Sequence, residues 1–364
     1  MRRELLDNPK QQSLLHSLVS EINQKFMISP NQDGPVRQAA SIGQMTEIRK
    51  NPVTLLTVDE RGEGQRIDNF LARHLKGVPK SHIYRILRSG EVRVDGRRVD
   101  AAQRLHAGAV LRIPPVRVAQ PAIRHSGATI QPRLGKAVIH EDDALLALDK
   151  PAGMAVHGGS GISRGVIEQL RLERPQARFL ELAHRLDRET SGVLLIGKKR
   201  SALIRLHDML RENQMRKRYL MLVKGVWRDQ KRRVVLPLVK HDLQGGEKRV
   251  TVEEGGQRSE TVFHLRERLG GFSLLEAELV TGRTHQLRVQ LAHLGFPILG
   301  DAKYGDFALN KMLQKQGLKR MFLHSAQTLL PHPLTGEPLD LRAPLPEDLS
   351  RFLQILRSRH AQAL

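Results

Sequence analysis

The chain has 364 residues, long for a single core and suited to two compact domains with connectors. Its 60 lysines and arginines against 38 acidic residues leave a net charge of +22, which points to a polyanionic partner rather than to small acidic molecules. The absence of cysteine excludes disulfides, thiolate metal sites and cysteine nucleophiles, and no run of about 18 apolar residues offers a membrane-crossing helix.

Residues 1–54 read as a leader. The first 44 are polar, with Pro30, Gly34 and Pro35 and only a short amphipathic pattern around Leu14, Leu15, Leu18 and Ile22. The basic start lacks the apolar run and cleavage site of a secretory signal, so a cytoplasmic protein is expected. Met45 opens a more regular stretch, and the leader is expected to be a flexible extension or an untranslated segment.

A small domain follows at 55–115. Ile67, Phe70, Leu71 and Leu75 recur at helical spacing, leaving Arg66, Arg73 and Lys76 outside the buried face. Ser81, after Pro79-Lys80, is suited to cap a second helix that buries Ile83, Ile86 and Leu87 and ends at Gly90. Val92, Val94 and Val99 alternate about Asp95-Gly96, a hairpin signal, and a last strand covers Ala109 to Ile113. Basic residues outnumber acidic ones 13 to 5 between Arg61 and Arg117. Arg66, Lys80, Ser81, Arg85, Arg88, Arg93 and Arg97, with Arg98 beside them, form a candidate phosphate-binding face.

Residues 116–136 lack periodicity and are expected to be a linker. The second domain, 137–346, mixes strand-like runs (145–148, 193–196, 220–223, 273–280) with helical ones (166–172, 202–211, 285–293). Its helices are too few for a doubly wound parallel sheet, so an α+β domain on a mixed, largely antiparallel sheet is expected. Residues 347–364 make a C-terminal helix or tail, and a monomer is expected.

Three segments carry chemistry. In His184-Arg185-Leu186-Asp187-Arg188 a carboxylate stands between two arginines in a turn before the apolar strand 193–196, and flanking cations favour the anion that a nucleophile or base requires. A solvated turn is the plain alternative. Thr281-Gly282-Arg283-Thr284-His285-Gln286-Leu287-Arg288 passes from strand to helix, placing Arg283 where it can reach a carboxylate from another strand end. Otherwise Arg283 and Arg288 are phosphate contacts, and His285 reads more simply as a capping or core histidine. Arg216-Lys217-Arg218-Tyr219 leads three cations, expected to be phosphate contacts, into a strand whose tyrosine can stack on a base or sit in the core. The run His157-Gly158-Gly159-Ser160-Gly161 lacks the ending of a phosphate loop and reads as a flexible loop beside the site. The 16 histidines include no His-Glu-x-x-His, so no metal or organic cofactor is indicated.

Together these segments resemble the RluA family of pseudouridine synthases, over about 65–346. The resemblance implies the pseudouridine synthase fold, preceded by a small α/β RNA-binding domain shared with a small-subunit ribosomal protein. It implies Asp187 as the catalytic aspartate, Tyr219 as the active-site tyrosine, Arg283 as the basic residue paired with Asp187, and Leu287 as an apolar wall of the uracil pocket. His184, Arg185 and His285 join Leu287 as substrate-side candidates, with Arg185 filling the space left by a flipped nucleotide. Further stretches (155–168, 174–182, 64–71) resemble members that modify several uridines of large-subunit ribosomal RNA near the peptidyl-transferase region.

Isomerising uridine gains and loses no atoms, so the chemistry asks for a fixed anion rather than a redox partner. Asp187 can attack carbon 1 of the ribose or carbon 6 of the ring, or assist formation of a glycal. The rivals are a catalytically idle RNA-binding or assembly factor, a synthase acting on transfer RNA, and an RNA hydrolase; clustered carboxylates for magnesium are not apparent for the last.

Overall fold

A computed structural model describes residues 53–75, 77–116, 133–158, 164–242 and 248–362. The leader up to residue 52, Lys76, most of the expected linker (117–132) and the glycine-rich run beyond Gly158 lie outside the described residues.

The small domain runs β1 (Thr54–Thr57), α1 (Ile67–His74), α2 (Lys80–Arg88), β2 (Arg93–Val94), β3 (Arg97–Arg98) and β4 (Val110–Ile113). Helix α1 buries Ile67, Phe70 and Leu71, and α2 buries Ile83, Ile86 and Leu87. These residues meet Val92, Val94, Leu111 and Ile113 from the sheet in one core. Each such side chain taken from water stabilises the domain by about 1.5–3 kcal/mol. The expected cap at Ser81 is corrected: α2 begins at Lys80, and Pro79 stands at the cap with no side-chain hydrogen bond. Proline's fixed φ suits that entry, and Ser81 sits exposed in the first turn. Asp95 and Gly96 both have positive φ (49° and 76°), the geometry of a two-residue hairpin turn. The strands pair antiparallel in the order β1-β4-β2-β3.

The larger domain contains β5 (Val138–Glu141), β6 (Leu145–Lys150), α3 (Val166–Glu173), β7 (Glu181–Leu182), β8 (Ser191–Gly197), α4 (Arg200–Arg211) and β9 (Arg216–Lys224). It continues with β10 (Lys231–Asp242), β11 (Lys248–Val252), β12 (Gln257–Leu269), β13 (Phe272–Leu279), α5 (Gln286–His293), α6 (Phe307–Lys315), β14 (Leu323–Pro331), β15 (Pro338–Arg342) and α7 (Glu347–Gln362). Among the described residues the sheet has eleven strands, ordered β11-β10-β12-β13-β9-β14-β8-β6-β5, with β15 on β14 and β7 on β8. Only β8 and β14 pair parallel among them, so the fold is α+β on a mixed, largely antiparallel sheet.

Strands β6 and β8 are apolar without alternation because both of their faces are covered. Leu146, Leu148, Leu194 and Ile196 face the core around Trp227 and Phe263, while Leu145, Ala147, Val193 and Leu195 face α4. No helix among the described residues is long and apolar enough to cross a membrane. Val116 packs in the small core and Leu134 in the large one.

Sheet register positions the chemistry. Ser325 of β14 is opposite Gly192 of β8 on one side and Tyr219 of β9 on the other. Strand β13 lies beyond β9, with Leu279 opposite Lys217, and leads into α5. The turn before β8, the start of β9 and the end of β13 therefore meet at one end of the sheet. Gly192 permits the approach: a Cβ there would lie 2.1 Å from the Ser325 carbonyl oxygen, at a φ of +107°.

Candidate active site

The turn holding Asp187 is pinned from beneath. Thr190 N donates to the Asp187 carbonyl (3.1 Å), and Gly153 N donates to that of Arg188 (2.9 Å). Lys150, fully buried, donates from Nζ to the carbonyls of Pro151, Met154 and Arg188 at 2.7, 2.8 and 3.1 Å. Burial pushes its pKa down to about 7, yet three acceptors match the three donors of an ammonium. His184 anchors the other end, accepting from Leu195 N at Nε2 (3.1 Å). Burial, and then the field of Lys217, lowers its pKa to about 4, keeping the ring neutral. His184 borders the cavity with this nitrogen already engaged.

The Asp187 carboxylate is one-fifth exposed, which corrects the solvated-turn alternative. Its partner is Arg288, whose Nη1 donates to Oδ2 at 2.8 Å. The expected Arg283–Asp187 pair is therefore overturned. Arg283 is exposed at the cavity rim, where its Nε donates to the Arg258 carbonyl (3.3 Å). Helical geometry explains the difference: Arg283 precedes α5, whereas Arg288 lies within it, among the buried Leu287, Val289 and Leu291. Arg288 uses Nε and Nη2 on the two oxygens of Asp301, both at 2.8 Å. Asp301 is almost wholly buried and also accepts from the backbone of Lys303 and Tyr304. Burial opposes the charge of Arg288, but the hydrogen bonds and charge of Asp301, then those of Asp187, outweigh it and raise its pKa.

His285 caps α5 in the left-handed region (φ 54°) without a side-chain capping bond. Its Nδ1 lies 2.8 Å from the Tyr304 hydroxyl, which itself accepts from Val250 N. Assigning the phenolic proton to that contact leaves His285 protonated at Nε2, 3.9 Å from Asp187 Oδ1. The start of α5 is held by buried amides: Gln286 accepts from Thr281 Oγ1 and Arg283 N and donates to Thr261 and the Glu260 carbonyl. Gln290 accepts from Thr261 Oγ1.

Tyr219 is buried, and burial pushes its phenol up to about 12; the neighbouring Ser325 hydroxyl opposes that shift and the charge of Asp187 adds to it. Asp187, Tyr219, Leu287 and Arg288 line a cavity of about 620 Å³, within the range of small-ligand sites. Arg185, Arg283 and His285 also border it. The small-domain candidates lie apart from this cavity. Lys80, Arg85, Arg88, Arg93 and Arg97 are exposed, whereas Arg66 is paired with Asp68 at 2.7 Å.

Sequence reasoning did not single out Lys150, Asp301 or Tyr304, and it gave Asp187 the wrong arginine as partner. The available signal was in α5, where polar Gln286, Arg288 and Gln290 alternate with apolar residues and so require buried partners.

Residues 144–293 match the family described as RNA pseudouridylate synthase, and 65–111 match the S4 domain. The chain is 50% identical over 321 residues to ribosomal large subunit pseudouridine synthase C of Escherichia coli (strain K12), covering 86% of this chain and 99% of that protein. The protein of that name from Yersinia pestis is 51% identical over 310 residues, covering 84% of this chain and 97% of its own. Among solved structures, human RNA pseudouridylate synthase domain containing 4 superposes with a TM-score of 0.51 at 27% identity, covering 62% of this chain and 94% of that one.

Proposed function

The chain belongs to the RNA pseudouridylate synthase family, and we propose that it converts uridines of large-subunit ribosomal RNA to pseudouridine with Asp187 as the reacting carboxylate. The observation that carries this reading is the Asp187–Arg288 pair in a nucleotide-sized cavity walled by Tyr219 and Leu287. The relatives' names supply the substrate class, and the S4 match supplies a second RNA-binding surface.

The reaction breaks the bond from ribose carbon 1 to uracil N1, turns the ring, and joins carbon 1 to ring carbon 5. The proton on carbon 5 departs and N1 gains one. Attack at the ribose and addition to the ring both need a carboxylate with a free oxygen. Arg288 engages only Oδ2 of Asp187 and spends its other two bonds on Asp301. Oδ1 accepts no hydrogen bond among the described residues and is available to the substrate. A preorganised anion of this kind loses little to reorganisation when charge develops at the sugar.

A base within a helix or stack cannot reach this carboxylate, so the target uridine is extruded into the cavity. Tyr219 stacks on it and offers a protonated hydroxyl, since a phenol near 12 is no base at neutral pH. Leu287 supplies an apolar wall, and Arg185, exposed at the rim, takes the vacated space. A cytoplasmic setting fits this substrate.

Pseudouridine mapping by carbodiimide treatment and primer extension, in cells with and without the gene, tests the substrate. Loss of large-subunit modifications is expected. Loss of a transfer-RNA site alone would overturn the substrate and leave the enzyme class standing.

A further inference from the structure

Lys217 is a cation in the cavity with no assigned work. It stands two residues before Tyr219 on β9, so both side chains project from the same face of the strand, about 7 Å apart along it. Both line the cavity. Its Nζ rests beside Gly282, 3.7 Å from where a Cβ would stand. Among the described residues no carboxylate lies within ion-pair distance of Lys217, and its Nζ makes no hydrogen bond, although its backbone is paired in the sheet.

The charged part of the cavity lining is mostly cationic. Among the described residues Asp187 is the only carboxylate in its lining, and it is already taken by Arg288. Lys217 shares the lining with Arg211 and Arg185, which are exposed and keep their hydration. Lys217 is only partly exposed, and burial alone lowers its pKa. A half-dry ammonium without a counter-charge costs free energy until an anion reaches it. Uracil and ribose are neutral, so the anion that enters with a nucleotide is its phosphate.

We infer that Lys217 is a phosphate-binding residue, holding a backbone phosphate that adjoins the extruded uridine while Tyr219 meets the base. The inference rests on the proposed RNA reaction and deepens it. A grip from the same strand face fixes the separation between phosphate and base, and so sets how far the nucleotide enters.

The test is a cycle between enzyme and RNA. The full-length wild type and Lys217→Met act on an RNA fragment with an ordinary linkage, or with an uncharged methylphosphonate on the 5′ or the 3′ side of the target uridine. The expected result is a loss of kcat/KM of roughly ten- to hundredfold for the variant on ordinary RNA. A similar loss is expected for wild type at one of the two neutral linkages, and no further loss when the two changes are combined. Multiplying losses at both linkages would overturn the inference, as would full activity of the variant. Lys217→Gln, with melting curves for both variants, separates a folding defect from a failure to hold the phosphate. A wild type that isomerises no uridine would instead sink the reading on which this rests.

Discussion

Arg288 holds Asp187 and Asp301 at once, giving one N–H to the first and two to the second, all at 2.8 Å. Asp301 anchors the guanidinium so that it meets Asp187 from a fixed direction. Lysine retains the charge but lacks the planar fork. Arg288→Lys is expected to lower kcat/KM at least about 100-fold and stability by about 3–5 kcal/mol, because Asp301 is left buried and poorly paired. Arg283→Lys, at the exposed rim, is expected to change stability by less than about 0.5 kcal/mol. Urea melts and steady-state rates on the two variants compare them directly.

Lys150 ties the loop at 151–154 to the turn that carries Asp187. Methionine fills the space but leaves three carbonyls without their shared donor. Lys150→Met is expected to cost about 2–4 kcal/mol and to lower kcat more than it raises KM, since the turn is loosened rather than the RNA surface altered. An unchanged kcat in a folded variant would show that the turn is rigid without this clamp.

Acid should strike His184. Its folded pKa is depressed to about 4, below the unfolded value of roughly 6.5, so the unfolded chain binds the extra proton between these values. The stability from keeping the ring neutral is present above about pH 6.5 and is lost as pH falls towards 4. His184→Gln keeps an acceptor for Leu195 N without titrating. Urea midpoints between pH 7 and 4.5 should therefore fall less steeply in the variant than in wild type.

Sequence patterns disclosed the small domain well, because Ile67, Phe70, Leu71, Ile83, Ile86 and Leu87 each obey a local helical period and Asp95-Gly96 a local turn geometry. The mixed sheet was also legible, from apolar runs too short and too sparsely separated by helices for a parallel array. Partner choice was not. Arg283 and Arg288 are both arginines near the start of one helix, and only the register of β13, β9 and β14 decides which of them faces Asp187. Asp301 lies 114 residues from Asp187, in a loop whose chemistry has meaning only once Arg288 is in place. Ser81 shows a smaller failure of the same kind, where proline geometry at Pro79 displaced side-chain capping.

The exposed arginines of the small domain are expected to bear on affinity rather than chemistry. Replacing Arg85, Arg88, Arg93 and Arg97 together by glutamine should flatten the dependence of RNA affinity on salt, by roughly 0.7–0.9 in log–log slope for each phosphate no longer neutralised. At saturating RNA, kcat should stay near the wild-type value. A salt slope equal to that of wild type would place the RNA on another face.

Single-turnover release of tritium from RNA carrying uridine labelled at ring carbon 5, measured for Asp187→Asn beside the wild type, bears most directly on the carboxylate. The variant should bind RNA and melt as a folded protein while releasing tritium at least about 1,000-fold more slowly. Release at the wild-type rate by folded Asp187→Asn would contradict the role given to Asp187.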